Sequence, residues 1–294
     1  MSVFTGAGVA IVTPMHEDGT VNFEKLGELL EEQISAGTDA VIICGTTGES
    51  STLTHEEHLA AIKYTVEKVN HRIPVIAGTG SNCTETAIYL SKEAESYGAD
   101  ALLLVTPYYN KATQKGLKIH YTAIANAVKI PVIVYNVPSR TGCNVLPETM
   151  ADLVKNVDNI VGIKEASGDM SYAMKIAHCI GPDFALWSGN DDITVPLMSI
   201  GGSGVISVYA NVMPRMCHEI VADYLGGNQA RAVENHLKYL KLMNDLFMEV
   251  NPIPVKAAMN LMGLNVGPMR LPLCEMTPEH TEALRRTLEE AGLL

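Results

Sequence analysis

The sequence predicts an α/β chain folded as a (β/α)8 TIM barrel with a C-terminal helical domain, and three observations carry that prediction. Eight short β-branched runs recur at fairly even spacing. Each is almost continuously apolar, the pattern of a parallel strand buried on both faces. Between them lie stretches of roughly 10 to 20 residues with helical periodicity. Strands alternating with helices build a parallel sheet, and eight of them suit a closed barrel. An open doubly wound sheet is the alternative, and it usually has fewer strands.

The first run, GVAIVTP (8–14), ends at a proline. In 22–36, Phe23, Leu26, Leu29, Leu30 and Ile34 recur at three- and four-residue steps, which puts them on one helix face. DAVIICG (39–45) follows, and the next helix opens on Thr54-His55-Glu56-Glu57. This is a capping box, in which the Thr hydroxyl accepts from the backbone of Glu57 while the Glu57 carboxylate reaches back. The third, fourth and fifth runs are IPVIAGTG (73–80), DALLLVTP (100–107) and IPVIVYNVP (130–138). Pro147 then stands as a helix-start proline, its missing N–H costing nothing at that position. NIVGIKEAS (159–167), FALWSGND (184–191) and SGVISVYA (203–210) complete the set. Trp187, the single tryptophan, falls in the seventh. What remains is too long for one closing helix. The periodicity predicts a last barrel helix over 212–225 and three more over 228–249, 253–262 and 277–291. The expected domains are therefore a catalytic barrel, 1–225, and a helical tail, 226–294, packed on the barrel or on a neighbouring subunit.

Composition narrows the function. With 47% hydrophobic and 18% charged residues the chain has ample core and is not disordered. A formal charge of −12 argues against nucleic acid as the main partner, because that affinity comes from Lys and Arg neutralising phosphates. The six cysteines are scattered with no C-x-x-C pair, so neither a disulfide framework nor a zinc cluster is expected and reduced cytosolic thiols are. The first residues lack the basic stretch of a signal peptide, and no apolar run approaches the ~18 residues of a membrane span. His55-Glu56-Glu57-His58 spaces its histidines i,i+3, where the H-E-x-x-H zinc pattern needs i,i+4.

Barrel enzymes place their sites at the C-terminal ends of the strands, and here those ends are polar. Lys164 is the sharpest feature, because it lies inside the sixth run. Simple alternation puts Ile160, Gly162 and Lys164 on one face, with Gly162 leaving room beside the amine. Burial lowers an amine's pKa, and a neutral amine forms a Schiff base with a carbonyl substrate. The alternatives are a Lys paired with Glu165 or another carboxylate, or one reaching to the rim. Tyr135 lies level with it on the neighbouring strand and is either a proton relay or an ordinary strand-end aromatic. Thr46 and Thr47 form a Gly-Thr-Thr-Gly turn that can hold a carboxylate or simply turn the chain. Arg140 is either a bidentate carboxylate clamp or a surface cation.

CGTTGES (44–50), VTPYYN (105–110), YNVPSRTG (135–142), GIKEASG (162–168) and NPIPVKAAMNLMG (251–263) resemble the dihydrodipicolinate synthase family along essentially the whole chain. The resemblance implies a lyase with a (β/α)8 barrel and a C-terminal helical domain, assembled as a homotetramer made of two tight dimers. It implies condensation of pyruvate with L-aspartate 4-semialdehyde in lysine and diaminopimelate biosynthesis, without metal or organic cofactor. Position by position, it makes Lys164 the Schiff-base lysine. Thr47, Tyr135 and Tyr109 become a proton-relay triad, with Tyr109 donated by a partner subunit. Thr46 and Thr47 become the pyruvate-carboxylate pocket, and Arg140 the residue binding the semialdehyde carboxylate. Gly189 and Ile206 would line the pocket through backbone atoms. Ser50, Ser51, His55, His58, Asn82 and Tyr108 match a lysine-effector site, from which this chain departs by carrying Thr86 where lysine-sensitive members have a glutamate. Another pyruvate-dependent aldolase, acting on N-acetylneuraminate or a 2-keto-3-deoxy sugar acid, is the competing reading.

Overall fold

The computed structural model describes residues 3–294, and its sheet is a closed parallel barrel. The strands are β1 (Gly6–Ala10), β2 (Ala40–Ile43), β3 (Val75–Gly78), β4 (Ala101–Val105), β5 (Val132–Asn136), β6 (Ile160–Glu165), β7 (Ala185–Ser188) and β8 (Gly204–Ser207). Each pairs with the next, and β8 returns to β1 through Gly8↔Ile206. The strands are shorter than the apolar runs because each run continues into the loop above the barrel.

Around the barrel run α1 (Phe23–Ala36), α2 (His55–Val69), α3 (Thr84–Ser96), α4 (Gln114–Ala125), α5 (Pro138–Thr141), α6 (Pro147–Asn156), α7 (Met170–Ile180), α8 (Thr194–Met198) and α9 (Pro214–Leu225). The capping box at Thr54–Glu57 forms, and Pro147 opens α6. The tail comprises α10 (Gln229–Lys238), α11 (Leu240–Asp245), α12 (Ile253–Leu261) and α13 (Pro278–Glu290). The single helix expected over 228–249 is thus two. The break falls at Tyr239, which is buried with its ring 6.3 Å from Tyr209. α10 lies on α9, while α11 packs against α13. No helix is long and apolar enough to cross a membrane among the described residues.

Two hydrophobic clusters divide the core. The larger lies between strands and helices and includes Val9, Val41, Ala77, Leu104, Val134 and Ile163. The smaller fills the barrel interior, with Ile42, Leu103, Ile133, Tyr135, Trp187 and Ile206. At its base the Phe4 ring stacks on Trp187 at 5.0 Å, so the interior is a plugged core and not a pore. Carboxylates clip the lower rim: Asp39 Oδ2 accepts from Ala7 N, and Asp100 Oδ2 from Val75 N, both at 2.8 Å.

Strand β6 departs from simple alternation. Val132 faces Ile160 but Ile133 faces Gly162, so Val161 is an extra residue in the strand. This bulge sends Ile160 to the outer cluster, while Lys164 stays on the inward side with Tyr135 as its cross-strand partner. Ile160 and Lys164 therefore do not share a face. Gly162 is required for another reason too, since a Cβ there would come 2.3 Å from Ala185 O and 3.0 Å from the Trp187 ring. Gly162→Ala is expected to destabilise the protein by about 1–3 kcal/mol, read as a lower thermal midpoint or loss of soluble protein. An unchanged midpoint would show that β6 and β7 can part to admit the methyl.

Candidate active site

The upper ends of the strands enclose a small cavity of about 150 Å³. Drug-sized ligands occupy ~300–1,000 Å³, so this one suits a ligand of few heavy atoms. Thr46, Thr47, Tyr135, Arg140, Lys164 and Gly189, all singled out in the sequence, line it together.

Lys164 enters from β6 at 5% exposure, with Nζ 4.4 Å from the centroid of the Tyr135 ring. Its stem passes Gly189, where a Cβ would stand 3.0 Å from Lys164 Cε and 2.5 Å from Ala166 Cβ. Only glycine leaves that passage open. The amine has no salt bridge within 4.0 Å among the described residues. Burial, with the Arg140 cation adding to it, brings its pKa down to about 8, and the Asp191 carboxylate opposes the fall. Asp191 is itself held by Val208 N and Tyr209 N at 3.0 and 2.9 Å.

Glu165 is not the partner of Lys164, because adjacent strand residues point to opposite faces. It lies outside the barrel wall, accepting from Asn136 Nδ2 at 2.9 Å and from Ser167 N at 2.6 Å. Asn136 also donates to Asn144 Oδ1 and accepts from Val145 N. This buried network joins β5 to β6 one residue beyond the Tyr135↔Lys164 pair and fixes their register. Burial raises the pKa of Glu165, which has no cation in ion-pair contact among the described residues.

The phenol of Tyr135 is pushed up by burial, while Arg140 and a hydrogen bond with Thr46 counter the rise. The hydroxyl against Tyr135 is thus that of Thr46 and not, as expected, that of Thr47. Consecutive residues in the tight turn diverge, and the Thr47 hydroxyl instead accepts from Asn251 Nδ2 at 3.1 Å. Arg140 rises from α5 at the rim, with Nη2 3.3 Å from the carbonyl of Asn251. Ile206 belongs to the apolar layer in the barrel interior, and Val208 supplies the cavity wall from that end of the sheet. Tyr109 is 90% exposed, with φ +70°, and is not part of its own chain's cavity.

A second cavity, about 350 Å³, is lined by Ser50, Ser51, His55, His58, Thr86 and Tyr108 and shares Thr46 and Arg140 with the first. Asn82 sits near it, donating to Tyr108 O at 3.2 Å. No carboxylate lines this cavity. Burial lowers the His58 pKa, and its Nε2 is 2.7 Å from Gly78 O. Among the described residues, no group of three His, Cys, Asp or Glu could hold a metal ion.

Sequence reasoning missed Asn251 and Phe247, which reach the first cavity from the segment between α11 and α12. For Asn251 the signal was present in the NPIPVK motif, but its partners Thr47 and Arg140 lie 204 and 111 residues away in the chain.

The model of the Dihydrodipicolinate synthetase family matches residues 3–291. The 4-hydroxy-tetrahydrodipicolinate synthase of Lachnoclostridium phytofermentans is 59% identical over 294 residues, all of both chains. The enzyme of the same name from Thermoanaerobacter sp. is 60% identical over all of this chain and 99% of its own. The crystal structure of dihydrodipicolinate synthase from Aquifex aeolicus superposes with a TM-score of 0.96 at 46% identity, covering 99% of each chain.

The lowered pKa of Lys164 has a direct readout. The amine carries its proton below about pH 8 and is a free nucleophile above it. The rate at which a 2-oxo acid is trapped on Lys164 by borohydride is expected to rise with pH through a midpoint near 8. A midpoint at the ordinary lysine value of 10.5 would contradict the desolvated environment.

Proposed function

The chain belongs to the dihydrodipicolinate synthetase family, and we propose that Lys164 carries that family's chemistry through a Schiff base with pyruvate. The activity is that of a 4-hydroxy-tetrahydrodipicolinate synthase, a lyase that condenses pyruvate with L-aspartate 4-semialdehyde in lysine and diaminopimelate biosynthesis. The single observation that supports Lys164 most is its place as a buried amine within a small cavity that also holds Arg140 and two threonine hydroxyls.

The neutral amine of Lys164 attacks the ketone carbon of pyruvate, and the carbinolamine loses water to give a protonated imine. The imine withdraws electrons, so the methyl group gives up a proton and an enamine forms. The enamine carbon attacks the aldehyde of the second substrate, whose oxygen takes a proton to become the 4-hydroxyl. The substrate's own amine then attacks the imine carbon, closes the ring and expels Lys164. Tyr135 serves as the proton relay, and its hydrogen bond supports Thr46 as the adjoining member, moving that role from Thr47. Thr47 then serves the pyruvate carboxylate. Arg140, at the open rim, receives the semialdehyde carboxylate through its guanidinium fork.

The exposed Tyr109 supports an assembly in which a second copy delivers this phenol to the relay, within a homotetramer built from two dimers. The scattered cysteines, none of them in a disulfide, support a cytoplasmic setting. The second cavity takes the place of the lysine-effector site. Its histidines and hydroxyls provide no carboxylate for the effector's ammonium, so lysine inhibits weakly or not at all.

Borohydride reduction with pyruvate, followed by peptide mapping, tests the mechanism. The pyruvyl adduct is expected on Lys164, and Lys164→Met is expected to lose about 10³-fold or more in kcat. An adduct on another lysine, or none, overturns the assignment. Lysine titration tests the second cavity. Thr86→Glu is expected to strengthen lysine inhibition about ten- to hundredfold, the worth of one charge-assisted hydrogen bond. Near-complete inhibition of the unsubstituted protein at low lysine concentration would refute the weak-binding reading.

A further inference from the structure

The segment 251–256 lies outside the barrel strands yet is tied to the β2–α2 turn at two points. Asn251 Nδ2 meets Thr47 Oγ1 at 3.1 Å. Lys256 Nζ, fully buried, meets Glu49 Oε1 at 2.8 Å and also donates to Thr13 O and Pro268 O. Glu49 Oε2 in turn accepts from Arg270 N at 3.0 Å. Two ties, two residues apart on the turn and five apart on the segment, leave neither piece free to slide. Asn251 is 5% exposed, and its Oδ1 is buried without a hydrogen-bond partner.

A threonine hydroxyl has one hydrogen and two acceptor sites. When it accepts from an amide N–H, its own hydrogen cannot point back along that bond and is left to donate elsewhere. For Thr47 the space elsewhere is the cavity beside Lys164. Among the described residues, the Asn251 amide is the hydrogen-bond partner of that hydroxyl. We propose that Asn251, supplied by the helical tail, is a positioning residue that commits the Thr47 hydroxyl to donate to the carboxylate of the 2-oxo acid substrate. The inference rests on the reading above of Thr47 as part of the carboxylate pocket. A donor oriented in advance toward an anion forms a charge-assisted bond without first reorganising. The tail is then part of the substrate-binding apparatus, and the Lys256–Glu49 pair is what keeps Asn251 in register with Thr47.

The test is a double-mutant cycle on pyruvate binding, read as the pyruvate concentration giving half-maximal borohydride-trapped adduct on Lys164. Asn251→Ala is expected to raise that concentration about tenfold with a smaller change in kcat, and Thr47→Val to raise it at least as much. In the Thr47→Val background, Asn251→Ala is expected to add less than about twofold, because it acts through the hydroxyl already removed. Asn251→Asp keeps the side-chain volume but offers only acceptors. It would take the Thr47 hydrogen for itself, so half-saturation is expected to rise further than in Asn251→Ala. Thermal melting confirms that each variant is folded, and Asn251→Asp supplies the test if truncation unfolds the protein. An equal factor in both backgrounds, or a fall in kcat with pyruvate half-saturation unchanged, overturns the inference. No adduct on Lys164 in the unsubstituted protein overturns the Schiff-base reading instead, and Thr47→Val at unaltered half-saturation overturns the carboxylate-pocket assignment.

Discussion

An amine held in the wall of a closed barrel is the constraint that organises this molecule. A lysine in that position is costly as a cation unless an anion meets it. Here the nearest anionic influence, Asp191, already accepts two backbone N–H groups and does not hold Lys164 in a salt bridge. Burial therefore prevails over that anion and brings the pKa to about 8, which puts the free amine within reach near neutral pH. Other features follow from making room for it. Gly189 opens the passage for its stem, and the bulge at Val161 keeps it on the inward side. The Asn136–Glu165 network behind the sheet holds Tyr135 level with it. The Glu165 carboxylate that would quench the amine lies on the far face of the same strand.

The barrel was legible because its signals are local. A parallel strand covered on both faces must be apolar at nearly every position, and a helix on its outside must be apolar on one face. Both conditions leave their mark within single stretches, as 39–45 and 22–36 do. The capping box at Thr54 and the proline at Pro147 were readable for the same reason, since each reports a backbone requirement within one helical turn. The break at Tyr239 was not, because the periodicity runs through it while the two halves pack on different elements, α10 on α9 and α11 on α13.

The candidate site divides along the same line. Lys164 stands out because a charge in an apolar strand is unusual in its own neighbourhood, while Tyr135 and Arg140 are marked by their place at the polar end of the adjoining strand. The division of labour between Thr46 and Thr47 depends on which way each hydroxyl faces in a tight turn, and adjacent identical residues carry no mark of that. Asn251 was hidden for a stronger reason. An asparagine before a proline reads as a loop residue, and its value comes from Thr47 and Arg140, far away in the chain.

The sequence by itself determined the strand count, the placing of a lysine within the sixth strand and the polar character of the rim, since each is a property of residues near one another in the chain. The tertiary structure alone decided which threonine meets the phenol and which face Ile160 takes. It also decided that the helical tail reaches into the cavity. Those outcomes turn on barrel closure, one bulged residue and a buried ion pair between residues 49 and 256. Closure brings the strand ends to within hydrogen-bonding distance of one another whatever their separation along the chain. At that point the geometry of the pleat, and not the order of the residues, sets the partners.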